Sequence, residues 1–228
     1  MNIGIIFAMQ EELDAFLALI KNTESETFNA ITFFKGTIDD HQIIMTLSGI
    51  GKVQASFATT RMLSLYDIDM IFNSGVAGGI NINIQSLVIS SGLLYHDVDV
   101  TAFNYELGQI PNQSLILKAD DLLVSLAENK ARLLNLDYKI GLIASGDQFV
   151  TTMSQIKPFV ERFDDLFAVE MEATAIAHVA YLFDKPFLAI RSISDQIGQS
   201  SQADDFLSFI KNAALNAATL LYQVIKAL

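Results

Sequence analysis

The sequence predicts an α/β protein in which helices cover a largely buried sheet, and three observations carry that prediction. Apolar runs of strand length alternate with helical patterns along the whole chain. Hydrophobic residues make up 51% of the sequence, yet no uninterrupted apolar run reaches the roughly 18 residues that a membrane span needs. The 228 residues contain three prolines and no repeat, low-complexity tract or Pro/Gly-rich linker, so residues 1–228 are expected to form a single domain.

The opening run NIGIIFA, Asn2–Ala8, reads as the first core strand. It has no basic residues before it and acids directly after it, unlike a secretory signal, which suggests a cytoplasmic protein. Further strands are expected at Ile31–Gly36, Gln42–Leu47, Met70–Asn73, Leu87–Leu94, Lys139–Ala144, Phe167–Val169 and Pro186–Ile190. Between them, Gln10–Lys21, Lys52–Tyr66, Ala119–Asn135, Ser154–Phe163, Ala173–Phe183 and Asp204–Ala227 repeat apolar residues at three- and four-residue steps, the signature of amphipathic helices. The last carries Phe206, Phe209, Ile210, Ala213, Ala217 and Leu220 on one stripe and should dock on the sheet.

Composition narrows the partners. A formal net charge of −12 repels a nucleic-acid backbone and favours a small-molecule ligand. With no cysteine, disulfides, thiolate nucleophiles and cysteine-based zinc sites are excluded. The three histidines, His41, His96 and His178, are scattered without the spacing of a helical metal pair, and His178 reads as a packed helix residue. No metal or cofactor is expected.

In open α/β sheets ligands bind beyond the carboxyl ends of the strands, and there the acids of this chain collect. Glu11 and Glu12 follow the first strand, Asp147 follows KIGLIAS, Glu170 and Glu172 follow FAV, and Asp195 follows FLAIRSIS. Within AVEMEATAIAHV the two glutamates stand in an otherwise apolar run, where an unpaired charge would cost several kcal/mol. Converging acids at one sheet edge look like a site, whereas a single one is a helix cap. The segments LSGIGK, residues 47–52, and NSGVAGG, residues 73–79, read as glycine-rich strand-to-helix turns. Neither matches a phosphate-binding or dinucleotide-binding loop.

Taken in order, AMQEE, SGIGKVQA, NSGVAGG, YHDVDVTAFNYELGQIP, SGDQF, AVEMEATAIAHV and RSISD resemble the bacterial methylthioadenosine/S-adenosylhomocysteine nucleosidases of the nucleoside phosphorylase superfamily. The resemblance implies a three-layer α/β/α fold around a mixed, partly barrelled sheet, a homodimer, and cofactor-free hydrolysis of an adenine N-glycosidic bond. Carried onto this chain, it implies that Glu12 activates water, Asp195 serves adenine N7, and Glu172, helped by the Met171 backbone, binds the ribose hydroxyls. Arg191 would help to hold the water. Phe149 would stack on the base and the Val150 backbone would read its edge, with Met9, Ile50, Ala77 and Gly78 completing the substrate site. Val100, Phe103, Tyr105 and Pro111 would reach across a dimer interface to wall the neighbour's pocket. His96, Asp97 and Asp99 would thus belong to an interface loop and not to a metal site. Glu170 is expected to act through packing or a supporting hydrogen bond.

The residue types suit the reaction. Glycosidic cleavage passes through an oxocarbenium-like state, which carboxylates stabilise while an acid relieves the leaving group. Burial among apolar residues raises an aspartate pKa in the direction a proton donor needs. The chain departs from the family pattern at Val76, where a small hydroxyl residue is common, at Gln85-Ser86-Leu87, and at Ala203, where an aromatic lid residue is common. Either the pocket is more open at Ala203 and favours bulky 5'-substituents, or Phe206 restores the wall. Two other readings are a phosphorolytic enzyme of the same superfamily and a non-catalytic nucleoside-binding protein. Phosphorolysis needs cationic or N–H-rich contacts where Glu12 would stand.

Overall fold

A computed structural model describes residues 1–228. Its strands are β1 (Asn2–Phe7), β2 (Glu24–Phe28), β3 (Ile31–Ile38), β4 (His41–Leu47), β5 (Met70–Gly79), β6 (Leu87–Tyr95), β7 (Leu117–Lys118), β8 (Tyr138–Ser145), β9 (Leu166–Glu170) and β10 (Phe187–Gln196). The helices are α1 (Gln10–Leu17), α2 (Lys52–Leu65), α3 (Asp121–Leu133), α4 (Met153–Val160), α5 (Ala173–Leu182) and α6 (Gln202–Ile225).

All ten strands join one mixed sheet in the order β10-β6-β8-β9-β5-β1-β4-β3-β2, with β7 paired to β6. Because β10 also pairs with β5, strands β10, β6, β8, β9 and β5 close on themselves, and β1, β4, β3 and β2 fan outward from β5. This is the partly barrelled sheet the resemblance implies. Closure removes two edges that would otherwise have to be covered.

The first strand shows how sequence builds the layers. Ile3, Ile5 and Phe7 pack with Phe16 of α1, Ala127 of α3 and Leu221 of α6. Ile6 faces the opposite way, into a cluster with Ala58 and Met62 of α2 and Ile176 of α5. Both faces being covered explains why NIGIIF is a nearly continuous apolar run and not an alternating one. Gly4 lies on the α2 side, where a Cβ would fall 2.7 Å from the Met62 sulfur, so the strand meets this helix too closely for a side chain.

Two strands run longer than expected, and both differences shape the site. NSGVAGG is not a turn but the second half of β5. Its glycines clear space, since a Cβ on Gly75 would lie 2.3 Å from Glu12 Oε1 and one on Gly78 3.2 Å from Asp195 Oδ2. Likewise β10 does not end at Ile190 but continues through Arg191 and Asp195 to Gln196. A register shift against β5 between Ile193 and Asp195 leaves Ser194 as an extra residue, a bulge. Strands β2 and β7 were not expected. The helix expected over Gln10–Lys21 ends at Leu17, after which Leu19 and Ile20 bond back three residues in a tightened last turn.

Candidate active site

The carboxyl ends of β1, β5, β9 and β10 surround a cavity with about 520 Å³ of empty space, counting its mouth. Nine of its fifteen lining residues are hydrophobic, and no lysine or arginine is among the fifteen. Of the expected site residues, Met9, Glu12, Ile50, Ala77, Gly78, Phe149, Met171, Glu172 and Asp195 all line it. Val150 lies in a smaller adjoining cavity that shares Gly78, Phe149 and Asp195 with the first.

Glu12 is held by the main chain. It is buried, and its Oε2 accepts the N–H groups of Ala8 (2.9 Å) and Met9 (3.0 Å), while Oε1 accepts that of Val76 (3.0 Å). The first two bonds also satisfy free amides at the start of α1, the capping role that competes with catalysis in the sequence. Burial raises the Glu12 pKa above the ordinary carboxylate value, and Arg191 and the three N–H donors oppose that rise. Val76 therefore serves Glu12 through its backbone, a role that survives the absence of a side-chain hydroxyl.

Glu172 begins α5 and accepts the Gly51 N–H at 2.7 Å from the LSGIGK loop. Gly51 has φ of +99°, a conformation that side chains other than glycine rarely adopt. Burial, reinforced by the neighbouring Glu170 charge, pushes the Glu172 pKa up to about 8. The native state thus retains a proton that the unfolded chain releases near the ordinary value of 4.5, so this group destabilises the protein progressively as pH climbs from there to about 8. Glu172→Gln cannot ionise and is expected to flatten that slope. Melting temperatures at about pH 5 and about pH 8 check it: the fall between them should be smaller for the variant, and equal falls refute the assignment. Glu12 and Asp195 act in the same direction, so part of the slope remains.

Ser194, the bulged residue, and Asp195 both line the cavity. Asp195 Oδ1 accepts the Ser194 hydroxyl at 2.6 Å, and Oδ2 accepts the amide of Gln202 at 2.8 Å. Its pKa is raised by burial, against these two bonds.

Arg191 is not among the residues that line the cavity. It is 2% exposed, and its Nη2 donates to Glu170 Oε2 at 2.6 Å and to the Asn73 side-chain oxygen. With the guanidinium lying behind the wall, Arg191 influences Glu12 and Glu172 through charge. Glu170 has the supporting role expected of it: besides Arg191 it accepts the N–H groups of Glu172 (3.1 Å) and Ala173 (2.8 Å), capping α5. Asp147 also stays off the wall, where it accepts the Lys52 N–H at 2.8 Å.

Phe206 lines the cavity beside Phe149. Its ring meets that of Phe149 edge-on, with centroids 5.9 Å apart and planes at 75°, while Ala203 is exposed and does not line the cavity. Of the two residues weighed for the lid, Phe206 is the one at the cavity wall. Val100, Phe103, Tyr105 and Pro111 do not line the cavity of their own chain, and Phe103 is 75% exposed. Asp97 binds Lys52 Nζ at 2.6 Å and Asp99 binds Thr101, so these acids serve loop structure. Sequence reasoning missed Gln202, although it lies four residues before Phe206 and eight before Ile210, on the same stripe of α6.

A mostly apolar cavity lined by four carboxylates, Glu12, Glu170, Glu172 and Asp195, and an aromatic edge defines a class that the comparisons bear out: the chain belongs to the phosphorylase superfamily, whose family model matches residues 2–226. Within it, the chain belongs to the 5'-methylthioadenosine/S-adenosylhomocysteine nucleosidase family. It is 42% identical over 229 residues to the nucleosidase of that name from Staphylococcus carnosus, covering 99% of this chain and all of the relative. The solved structure of the Neisseria meningitidis enzyme in complex with methylthio-immucillin-A superposes with a TM-score of 0.95 at 32% identity, covering 100% of this chain and 99% of that one. A Borrelia burgdorferi structure bound to adenine superposes with a TM-score of 0.94 at 37% identity, covering 99% of this chain and 100% of that one.

Proposed function

We propose that this protein hydrolyses the N-glycosidic bond of 5'-methylthioadenosine, S-adenosylhomocysteine and related 5'-substituted adenosines, releasing adenine and the 5-substituted ribose. The observation that carries the proposal is the convergence of Glu12, Glu172 and Asp195, from three different parts of the chain, on one cavity with otherwise mainly apolar walls. Phe149 and Phe206 offer π-faces for a planar base. Family membership and the adenine and inhibitor complexes of similar proteins support the same reading.

In the step we assign, the C1'–N9 bond breaks and its electron pair goes to the base. Asp195 gives its proton to N7, and water adds to C1' as Glu12 takes a proton from it. Glu172 binds the ribose hydroxyls, its carboxyl group pairing with them at the foot of the sugar. A raised Asp195 pKa is the direction a donor requires. Three backbone donors and the Arg191 charge favour the basic form of Glu12 against the burial that raises its pKa. Arg191 tunes both glutamates from behind the wall.

Phosphorolysis is disfavoured, because no cationic side chain lines the cavity to receive a phosphate. The test is adenine release from methylthioadenosine, S-adenosylhomocysteine, 5'-deoxyadenosine and a futalosine-type intermediate, each with and without added phosphate. Release that depends on phosphate overturns hydrolysis, and no release from any of the four overturns the enzyme reading.

We also propose a homodimer. Val53 and Phe57 on α2 are 79% and 54% exposed, and with Ile50 and Phe103 they make apolar surface of a kind that interfaces cover. The Lys52–Asp97 ion pair ties the Phe103 loop to the start of α2. Residues 100–111 are expected to lie in that interface, with Val100, Phe103, Tyr105 and Pro111 toward the partner's cavity. Sedimentation that returns a fully active monomer at micromolar concentration would contradict this.

A further inference from the structure

We propose that Gln202 is a competitor for the base, its side-chain amide, in the small cavity that adjoins the main one at Asp195, taking the hydrogen bonds that the amino group of a 6-aminopurine would otherwise make there. The inference rests on the adenine-nucleosidase reading above and goes beyond it by naming an internal occupant of the base position.

Gln202 is 4% exposed, although it is a polar residue at the first position of α6. Its Nε2 bridges two acceptors, the Val150 carbonyl at 2.9 Å and Asp195 Oδ2 at 2.8 Å. These are the groups assigned above to reading the edge of the base and to its N7. An –NH₂ that donates both hydrogens to a carbonyl and a carboxylate has the bonding pattern of an exocyclic amine on a purine. Each of these oxygens has two lone pairs, so the exclusion is one of space: Nε2 already stands at the point within hydrogen-bond distance of both, and a base amine aimed there meets it.

The other end of the amide is tied to the connection that would have to move. Gln202 Oε1 accepts the Gly198 N–H at 3.2 Å, and Gly198 has φ of +86°. Between them Gln199, Ser200 and Ser201 are exposed, so a short turn with a glycine pivot carries the plug. Phe206 stands one helical turn further on the same stripe, so the turn that withdraws Gln202 also carries the aromatic lid. Withdrawal removes one of the two side-chain bonds that favour the Asp195 carboxylate, and the remaining burial then favours the protonated acid as the base arrives.

Apparent affinity falls by the fraction of molecules in the competent arrangement, so a plug in place nine-tenths of the time weakens base binding about tenfold. Calorimetry of adenine and of unsubstituted purine binding to the full-length protein, Gln202→Ala and Gln202→Glu tests the idea. The glutamate keeps the size but replaces the donor with an anion that Asp195 and the carbonyl repel. Both variants should bind adenine about tenfold more tightly, with purine, which lacks the amino group, little changed. If the wild type binds adenine and both variants bind it equally or more weakly, Gln202 supports Asp195 instead, and the inference fails while the nucleosidase reading stands. An equal gain for purine and adenine also overturns it, as a general loosening of the lid. Adenine bound by none of the three proteins overturns both readings.

Discussion

Glu12→Gln and Asp195→Asn are each expected to lower kcat by about 10²–10⁴-fold, the range typical of a positioned general acid or base. The two losses have different physical origins. A glutamine at position 12 cannot accept a proton from water, and its amide also mismatches its surroundings. Both carboxylate oxygens accept backbone N–H groups, so either orientation of the amide turns an –NH₂ toward a donor. That mismatch is offset by removal of a buried ionisable group, and the melting temperature should stay near the wild-type value. Asparagine at 195 still accepts the Ser194 hydroxyl but has no proton to give N7. Because burial raises both acids, wild-type kcat should fall at low pH as Glu12 becomes protonated and at high pH as Asp195 loses its proton. Single-turnover adenine release with melting curves separates chemistry from folding. Near-native turnover in either folded variant removes that residue from the mechanism.

The alternation of apolar runs and helical patterns made the α/β class readable, because strands such as β1 and β4 are runs of large apolar residues covered on both faces. What escaped was strand built from small or polar residues. Asn73–Gly79 looks like a turn by composition, yet its glycines are there because Glu12 and Asp195 come too close for side chains. Arg191–Gln196 looks like a loop, yet its charged residues are neutralised or bonded inside the protein. Strand β2, ESETF, is an edge strand with four of its five residues exposed, so it leaves no apolar run to find. The carboxylates of the site were legible because acids in apolar sequence demand a reason. The bond of Arg191 to Glu170 was not legible, because sequence spacing does not tell which carboxylate a buried guanidinium takes as its partner. Gln202 was hidden in a run that reads as polar surface, and only its phase with Phe206 and Ile210 on α6 marks it as inward.

Glu170 is the residue whose loss should cost the most stability. Its carboxylate, at the end of β9, joins three other elements: Arg191 of β10 at 2.6 Å, the Glu172 and Ala173 amides at the start of α5, and the Ser145 hydroxyl at the end of β8. Both Arg191 and Glu170 are almost wholly buried, with side chains 2% and 4% exposed, and Arg191 Nε already has no hydrogen-bond partner. Alanine at 170 therefore leaves a guanidinium in the interior with only Asn73 and backbone carbonyls to bind. Breaking a buried pair from one side costs about 3–5 kcal/mol, since the surviving charge keeps its desolvation penalty and loses its attraction. In a protein of this size that corresponds to a melting temperature lower by about 6–20 °C. Glu170→Gln, which keeps an acceptor and the volume, should lose less. Removing both charges tests the cause: Glu170→Ala with Arg191→Met should be more stable than Glu170→Ala alone, a sign reversal that a simple cavity effect cannot produce. If the single alanine variant melts within about 2 °C of wild type, or if the second substitution only adds to the loss, the charge pair is not what holds β10 to α5.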